Sequence, residues 1–281
     1  MTEILDGKWL SSTIREKLKE KTELLKGVRL PQLVVVLVGD DPASHTYVNA
    51  KEKACKDVGF ISKVHRLTAD ITNEELLSLI KSLNEDETVD GILVQMPIPK
   101  HLDSKAVILT IDPEKDVDGF HPINVGKLHS NEKTFVPCTP LGVMELLKAY
   151  NIDVSGMNTV VLGRSHLVGR PVAQLLVNAN ATVTICHSRS KHIDEICRRA
   201  DLIVAAVGVP HFVKKDWVKK GAIVVDVGIH RTEDNKIIGD VVAEVMDVAS
   251  YMTPVPRGVG PMTIAMLLSN TFDAYEQHMK G

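Results

Sequence analysis

The chain has 281 residues, which is room for about two domains and more than one sizeable hydrophobic core. Its 33 basic and 36 acidic side chains give a formal net charge of −3, which excludes a strong field for recruiting nucleic acid or an anionic membrane. A hydrophobic content of 44% and a charged content of 25% exclude disorder and favour a globular protein with a small-molecule partner.

The cysteines and the N-terminus indicate in which cellular compartment the protein is expected. Four cysteines occur, at Cys55, Cys138, Cys186 and Cys197. Because they show neither CxxC nor metal-ligand spacing, we expect reduced, mostly buried thiols, no disulfide framework and no bound metal. The N-terminus is unlike a signal or transit peptide, and no apolar run approaches the roughly 18 residues of a membrane span. The sequence therefore predicts a soluble, cytoplasmic protein.

The first half of the chain alternates predicted helices and strands. Thr72, followed three residues later by Glu75, forms a capping-box pattern in front of an apolar helical stretch. Periodicity and β-branched runs predict helices over 8–26 and 43–58 and strands over 33–38 and 91–95. The strand at 33–38 is typical of one buried on both faces of a parallel sheet.

A second series of elements follows residue 137. Helices are predicted over 141–150, 168–179 and 191–199, and strands over 159–162, 182–186, 202–207 and 222–227. Strands separated by helices indicate βαβ units, so the sequence predicts an α/β fold with two domains. A final predicted helix, from Pro261 to Met279, is a candidate to pack back onto the first domain.

A strand that ends at a glycine carries the strongest cofactor signal. Gly163-Arg164-Ser165 follows the strand predicted at 159–162, and a helix is expected six residues after the glycine. The N–H groups at that helix start would face a pyrophosphate. Ser165 stands where GxGxxG has its second glycine, and a tight strand-to-helix turn is the alternative. The βαβ context favours a dinucleotide.

The end of the next predicted strand bears on which dinucleotide binds. After Cys186 there is no acidic residue of the kind that accepts the ribose 2′-hydroxyl of NAD. Ser188, Arg189 and Arg164 instead offer donors and positive charge, which suit the 2′-phosphate of NADP. Solvated surface arginines are the alternative. NADP is the cofactor that the sequence favours.

Tyr47 and Lys51 lie one turn apart on one face of the helix predicted over 43–58. Ala54 and Val58 continue that face with apolar side chains. Partial desolvation there would disfavour the charged form of Lys51 and suit it to proton transfer near neutral pH. The alternative is a lysine that extends to solvent beside a packed tyrosine.

Further polar residues stand where predicted strands end. Gln95 closes the strand at 91–95, and Asp118 lies in the sequence KDVDG that starts at Lys115. Ligands bind at the carboxyl ends of parallel strands, although a turn or cap is the alternative for each residue. Asp40 and Asp41 precede a helix and are interpreted as caps rather than as an acid–base pair.

Taken in order over nearly the whole chain, these segments resemble the bifunctional methylenetetrahydrofolate dehydrogenase/methenyltetrahydrofolate cyclohydrolase family. The matching motifs are LDGK from Leu5, the helix with Tyr47 and Lys51, GILVQ from Gly91, KDVDG from Lys115, PCTP from Pro137, GRS from Gly163, VDVGI from Val225, GDV from Gly239 and the Pro- and Gly-rich segment 251–263. That last segment is expected to lack regular structure and to approach a ligand or connect domains.

The resemblance implies a folate-binding domain formed by residues 1–138 and 261–281 and a Rossmann-type NADP domain over 139–260. It also implies an active site in the cleft between them and a homodimer. The implied reactions are NADP-dependent oxidation of 5,10-methylene-tetrahydrofolate to the 5,10-methenyl cation and its hydrolysis to 10-formyl-tetrahydrofolate. The rivals are a dehydrogenase that has lost hydrolysis and a non-catalytic NADP- or folate-binding protein.

The resemblance also implies residue roles. It makes Lys51 the general acid/base of hydrolysis, hydrogen-bonded by Gln95, with Tyr47 packed along the folate and Asp118 accepting hydrogen bonds from the pterin. Pro261 joins these as a substrate-binding residue. The expected cofactor contacts are Gly163, Arg164, Ser165, Ser188, Arg189 and Ile229. Retention of Lys51 and Gln95 argues against the dehydrogenase that has lost hydrolysis. The presence of all four residues, Tyr47, Lys51, Gln95 and Asp118, argues against a non-catalytic binding protein.

One position departs from the family pattern. The family usually has Gly-Gly-Val-Gly-Pro, and this chain has Arg257 at the first glycine. If that backbone needs a positive φ, an arginine would cost on the order of 1–2 kcal/mol. Alternatively, Arg257 reaches the glutamate tail of the folate or a cofactor phosphate.

Overall fold

A computed structural model describes residues 2–25 and 27–280. The strands, in chain order, are β1 (Glu3–Ile4), β2 (Gln32–Val38), β3 (Ile61–Leu67), β4 (Gly91–Val94), β5 (Asn158–Leu162), β6 (Thr182–Cys186), β7 (Leu202–Ala205), β8 (Ile223–Asp226), β9 (His230–Arg231), β10 (Ile237–Ile238) and β11 (Tyr251–Met252). The helices are α1 (Gly7–Glu23), α2 (Pro42–Asp57), α3 (Asn73–Glu85), α4 (Ser104–Thr110), α5 (Pro122–His129), α6 (Cys138–Ala149), α7 (Gly169–Asn178), α8 (Ile193–Cys197) and α9 (Val259–His278). The α/β class predicted from the sequence is confirmed.

The predicted elements are present, with some changes at their ends. Helix α1 ends at Glu23, and Lys26, where the predicted helix ended, lies outside the described residues. Thr72 and Glu75 form both hydrogen bonds of the predicted capping box at the start of α3. The prediction of no regular structure over 251–263 was wrong at its two ends, because β11 pairs with β1 and β8, and α9 begins at Val259.

The chain packs as two compact units. The first comprises the residues up to Ser12 together with Pro137–Met266, and the second comprises Thr13–Val136 together with the residues from Leu267 onward. The domains expected from the sequence, residues 1–138 with 261–281 and residues 139–260, remain a prediction.

The first unit is built on a parallel six-stranded sheet in the order β1-β11-β8-β7-β5-β6. Strands β7 and β8 are buried along their whole length, as expected for strands covered on both faces. Strand β5 pairs with β6 on one side and with β7 on the other. The strand order therefore reverses beside β5, which creates a crevice at its carboxyl end.

The second unit contains a parallel three-stranded sheet in the order β3-β2-β4. Strand β2 is fully buried at its centre, and the order again reverses beside this first strand. The end of α9 packs in this unit, as predicted for the last helix: Phe272 stacks on Phe60 with ring centroids 6.2 Å apart. The side chain of Asn270 donates to the carbonyl of Val117 at 2.8 Å.

The four cysteines are free and buried, which confirms the predicted reduced thiols. Burial raises the pKa of Cys55 and of Cys197 to about 12, so neither thiol is a nucleophile near neutral pH. Within residues 2–25 and 27–280, no helix is both long and apolar enough to cross a membrane.

Candidate functional site

The helix that carries Tyr47 and Lys51 begins at the carboxyl edge of the three-stranded sheet. Gly39, with φ of +81°, follows β2 and turns the chain toward α2. Asp41 then caps α2, because its carboxylate accepts the backbone N–H of Ser44 at 2.8 Å. The cap predicted for Asp41 is confirmed, whereas the neighbouring Asp40 lies outside the cap with an exposed side chain. The helix therefore starts where α/β sheets bind ligands.

Lys51 and Gln95 meet at this edge. The ammonium of Lys51 donates to Oε1 of Gln95 at 3.0 Å, and both residues are half-buried. Nε2 of Gln95 donates to the carbonyl of Met96 at 2.7 Å, and its backbone N–H donates to Val36 at 2.9 Å. The amide is held at both ends, so it fixes the position of the ammonium. A lysine has three donor hydrogens, and this hydrogen bond uses one of them.

The face of α2 changes from exposed to buried along its length. Ala54 and Val58 are at most 2% exposed, as the apolar stripe predicts. Tyr47, in contrast, is 51% exposed, so the alternative of a packed tyrosine does not describe this ring. An exposed aromatic face one turn from a fixed ammonium is a surface on which a flat heterocycle can stack.

Asp118 follows a segment that extends the same sheet, which sequence reasoning missed. Asp116 forms a parallel bridge with Ile92 of β4, so the chain reaches Asp118 at the same carboxyl edge as Gln95. Asp116 itself is buried and accepts the backbone N–H of His121 at 2.8 Å. Burial raises the pKa of Asp116 to about 6. Asp118 is half-buried in the turn that this carboxylate stabilises.

A cavity of about 310 Å³ opens at the carboxyl edge of the six-stranded sheet. It lies where the strand order reverses, between the turn after β5 and the segment after β7. Its lining includes Gly163, Arg164, Ser165, Cys186, Ser188 and Val207. No acidic side chain is among the described residues that line the cavity, as expected for a site that takes a 2′-phosphate.

Two glycines make the turn of this cavity possible. Gly163 has a φ of +108°, and a Cβ there would lie 2.2 Å from the carbonyl oxygen of Ala206. A Cβ on Gly169 would lie 2.3 Å from the carbonyl oxygen of Gly163. The start of α7 therefore approaches the end of β5 more closely than any other residue allows, as in dinucleotide-binding turns. Sequence reasoning identified Gly163 but missed Gly169, whose signal was the spacing between the two.

The predicted cofactor residues occupy different places around this cavity. Oγ of Ser165 accepts the backbone N–H groups of Val168 at 3.1 Å and Gly169 at 3.3 Å, so it stabilises the start of α7. Arg164 and Ser188 are exposed residues of the cavity wall. Arg189 and Ile229 are also exposed but are not among the lining residues.

The Pro- and Gly-rich segment is pinned against the start of α1. Arg257 is exposed and has a φ of +87°. This is the positive φ at which an arginine is expected to strain the backbone. Its carbonyl accepts the N–H of Lys8 at 2.9 Å. Pro261 lies half-buried in the first turn of α9. Ile229 also reaches this helix start, since its Cδ1 lies 3.3 Å from where a Cβ on Gly260 would be.

Two family models match the chain. The tetrahydrofolate dehydrogenase/cyclohydrolase catalytic domain matches residues 5–118, and the NAD(P)-binding domain of the same family matches residues 137–279. The bifunctional protein FolD of Campylobacter concisus is 59% identical over 271 residues, which are 95% of each chain. The crystal structure of bifunctional FolD from Campylobacter jejuni is 53% identical, with a TM-score of 0.97 and 99% of each chain covered. The Trypanosoma brucei enzyme, complexed with NADP cofactor and inhibitor, is 38% identical, with a TM-score of 0.94 over 100% of this chain and 99% of that one.

Proposed function

Because the chain belongs to the tetrahydrofolate dehydrogenase/cyclohydrolase family, it is a bifunctional enzyme of one-carbon folate metabolism, and we propose which of its residues perform the two reactions. The first reaction is NADP-dependent oxidation of 5,10-methylene-tetrahydrofolate to the 5,10-methenyl cation. The second is hydrolysis of that cation to 10-formyl-tetrahydrofolate. The observation that carries the assignment is the hydrogen bond from Lys51 to Gln95 at the carboxyl edge of its sheet.

Oxidation depends mainly on how the folate and cofactor are held. The reacting carbon lies between two nitrogens whose lone pairs stabilise the cation, so the step needs geometry more than a strong base. NADP⁺, when bound, supplies the acceptor for the hydride. Tyr47 stacks on the folate, and Asp118 accepts hydrogen bonds from the amino and ring N–H groups of the pterin. Pro261 is a further substrate-binding residue.

The cofactor assignment follows from the glycine turn and its surroundings. The turn from Gly163 leaves room for a pyrophosphate beside the N–H groups that start α7. Arg164 and Ser188 in the cavity wall bind the 2′-phosphate, and the exposed guanidinium of Arg189 adds positive charge. Ser165 acts mainly by holding the turn. Ile229 supplies an apolar contact to the cofactor.

Hydrolysis needs a group that moves protons. Water adds to the carbon between the two nitrogens and loses a proton. The carbon–nitrogen bond to N5 then breaks as that nitrogen gains a proton, and the hydroxyl on the carbon loses its own proton to solvent as the formyl carbonyl forms. The neutral amine form of Lys51 accepts the first proton at Nζ, and the ammonium that this produces donates the proton to N5. Gln95 keeps Nζ in place through Oε1 and has no proton to exchange itself.

Lys51→Met tests this assignment. Methionine fills a similar volume without a proton-transfer group, so we expect hydrolysis of supplied methenyl-tetrahydrofolate to fall to the uncatalysed rate while NADP⁺ reduction persists. Lys53→Met is the matched control, since Lys53 is an exposed lysine of the same helix. NADPH formation and the methenyl intermediate are followed separately. Enzyme-catalysed hydrolysis by Lys51→Met would refute the role of Lys51. If the wild type instead accumulates methenyl-tetrahydrofolate, which then decays only at the uncatalysed rate, a monofunctional dehydrogenase would be favoured.

Assembly and location complete the proposal. We propose a homodimer, as the family resemblance implies; within the described residues β3 is an edge strand, which offers backbone groups for association. We place the enzyme in the cytoplasm, where its four free cysteines stay reduced. Light scattering coupled to gel filtration should give twice the mass of one chain, and cell fractionation should recover the protein with cytoplasmic markers.

A further inference from the structure

A network of two buried carboxylates and a histidine lies behind the wall of the NADP cavity. Asp226 ends β8, His230 begins β9, and Asp240 follows β10. Asp226 and Asp240 are at most 2% exposed, and the side chain of His230 is 19% exposed. Neither proposed reaction uses these groups, and buried carboxylates are expensive to maintain unless their hydrogen bonds hold something in place.

Asp240 joins the histidine to the cavity wall. Its Oδ2 accepts the backbone N–H groups of Val207 at 2.7 Å and Gly208 at 3.0 Å, and Val207 lines the cavity. Its Oδ1 lies 2.7 Å from Nε2 of His230. Because a carboxylate only accepts hydrogen bonds, Nε2 is the donating nitrogen of the imidazole. The histidine and the cavity wall are thus bound to opposite oxygens of one carboxylate.

The backbone that carries Asp240 is itself held in place. Asp226 accepts the backbone N–H groups of Asp240 at 3.0 Å and Val241 at 3.0 Å. A Cβ on Gly228 would lie 2.3 Å from Oδ1 of Asp240, and a Cβ on Gly239 would lie 1.9 Å from Oδ2 of Asp226. The two carboxylates therefore occupy the space that side chains at these glycines would fill.

We propose that His230 is a positioning residue for the NADP cavity, acting through Asp240 to hold the backbone of Val207 and Gly208 in the conformation that receives the cofactor. The hydrogen bond from the imidazole is charge-assisted, and it fixes the rotation of the carboxylate about its Cβ–Cγ bond. Without the hydrogen bond from His230 to Oδ1, the carboxylate can rotate, and Oδ2 is no longer fixed in the position where it accepts the N–H groups of Val207 and Gly208. The inference rests on the cofactor site of the proposed function and adds a residue that does not contact the ligand.

Direct binding of NADP⁺ in the absence of folate tests the inference. We expect His230→Ala to raise the Kd for NADP⁺ roughly tenfold by titration calorimetry, as expected when part of a charge-assisted hydrogen bond is lost. In the free protein, the amides of Val207 and Gly208 should exchange hydrogen faster. His230→Gln, which keeps an N–H donor near the position of Nε2, should restore both properties. If His230→Ala does not fold, His230→Met fills the volume without a donor and carries the same expectation.

Controls separate positioning from general damage. Arg231→Lys alters the exposed neighbouring residue of β9 without changing charge and should bind NADP⁺ as the wild type does. Hydrolysis of supplied methenyl-tetrahydrofolate needs no cofactor oxidation and should keep its kcat in His230→Ala. An unchanged Kd, or a parallel loss of hydrolysis, would overturn the inference. Wild-type protein that fails to bind NADP⁺ would refute the cofactor site as well, whereas hydrolysis by Lys51→Met would refute only the proposed function of Lys51.

Discussion

The left-handed backbone of Arg257 predicts that glycine at this position stabilises the enzyme. Its φ is +87°, and a residue with a Cβ in that region costs about 1–2 kcal/mol relative to glycine. Glycine gains conformational freedom in the unfolded chain, which offsets about 0.4–1 kcal/mol of that difference. The arginine is exposed, so its removal sacrifices little packing. The net expectation for Arg257→Gly is a gain of about 1 kcal/mol in the free energy of unfolding.

The strain persists because the loop is held on both sides of Arg257. The carbonyl of Arg257 accepts the N–H of Lys8, and a Cβ on Gly7 would lie 1.8 Å from the carbonyl oxygen of Gly258. A Cβ on Gly258 would lie 2.5 Å from the carbonyl oxygen of Pro254. Rotation of Arg257 to a negative φ would have to break these close approaches. The backbone therefore keeps its conformation whichever residue occupies the position.

Urea unfolding of three proteins measures the effect. Arg257→Ala is the matched control, because alanine removes the guanidinium but keeps the Cβ that causes the strain. We expect Arg257→Gly to have the higher urea midpoint with an unchanged m-value, and Arg257→Ala to remain near the wild type. An equal gain in both variants, or none in the glycine variant, would refute the strain argument. A higher KM for folate in Arg257→Ala would indicate that the guanidinium binds the glutamate tail. A higher KM for NADP⁺ would indicate that it binds a cofactor phosphate.

Two further predictions concern a buried acid and the glycine turn. Burial raises the pKa of Asp116 to about 6, above an unfolded value of about 3.9, so its contribution to stability is complete below pH 4 and is lost as the pH rises through 6. Measured against Asp116→Asn by urea unfolding, the wild type should lose on the order of 2 kcal/mol between pH 4 and 7, and a pH-independent difference would contradict this. In Gly163→Ala the new Cβ meets the carbonyl oxygen of Ala206 at 2.2 Å, and the Kd for NADP⁺ should rise at least about tenfold. Gly156→Ala is its control, with a φ of +73° and nothing within 4 Å of the new Cβ, so comparable loss of NADP⁺ binding in both variants would remove the steric argument.

Apolar runs predicted the buried strands but not the edge of the sheet. Strand β2 is a continuous apolar segment, so its burial could be inferred from composition alone. Strand β3 pairs with β2 over seven residues, yet it carries lysine, histidine and arginine because one side of it lies at the edge. Its sequence has neither the alternation nor the continuous apolar run that identifies a strand. β3 belongs to the sheet because it pairs with β2, and this long-range pairing cannot be inferred from the sequence of β3 alone.

The site was predictable where its residues share one element. Tyr47 and Lys51 are one turn apart on α2, so helical spacing was sufficient to group them. The contact of Lys51 with Gln95 joins residues 44 positions apart and was available only through family resemblance. Asp240 supports the cavity wall from 33 positions away, through an interaction with Val207 that no motif indicated. Long-range contacts of this kind depend on sheet order, which periodicity does not determine.

The two sheets place their ligand groups by the same rule. In each, the strand beside which the order reverses is followed by a glycine with positive φ: Gly39, at +81°, follows β2, and Gly163, at +108°, follows β5. Each glycine donates its N–H to the end of the next strand in sequence, at 2.9 Å and 2.8 Å respectively. Strand β4 then returns beside β2, and β7 returns beside β5. The residues that follow them, Gln95 and Val207, form the opposite wall at each edge. Topology thus determines where each site lies, and local sequence determines its chemistry: the edge that we propose binds folate presents side chains, whereas the cavity that we propose binds the dinucleotide is shaped by backbone and glycines.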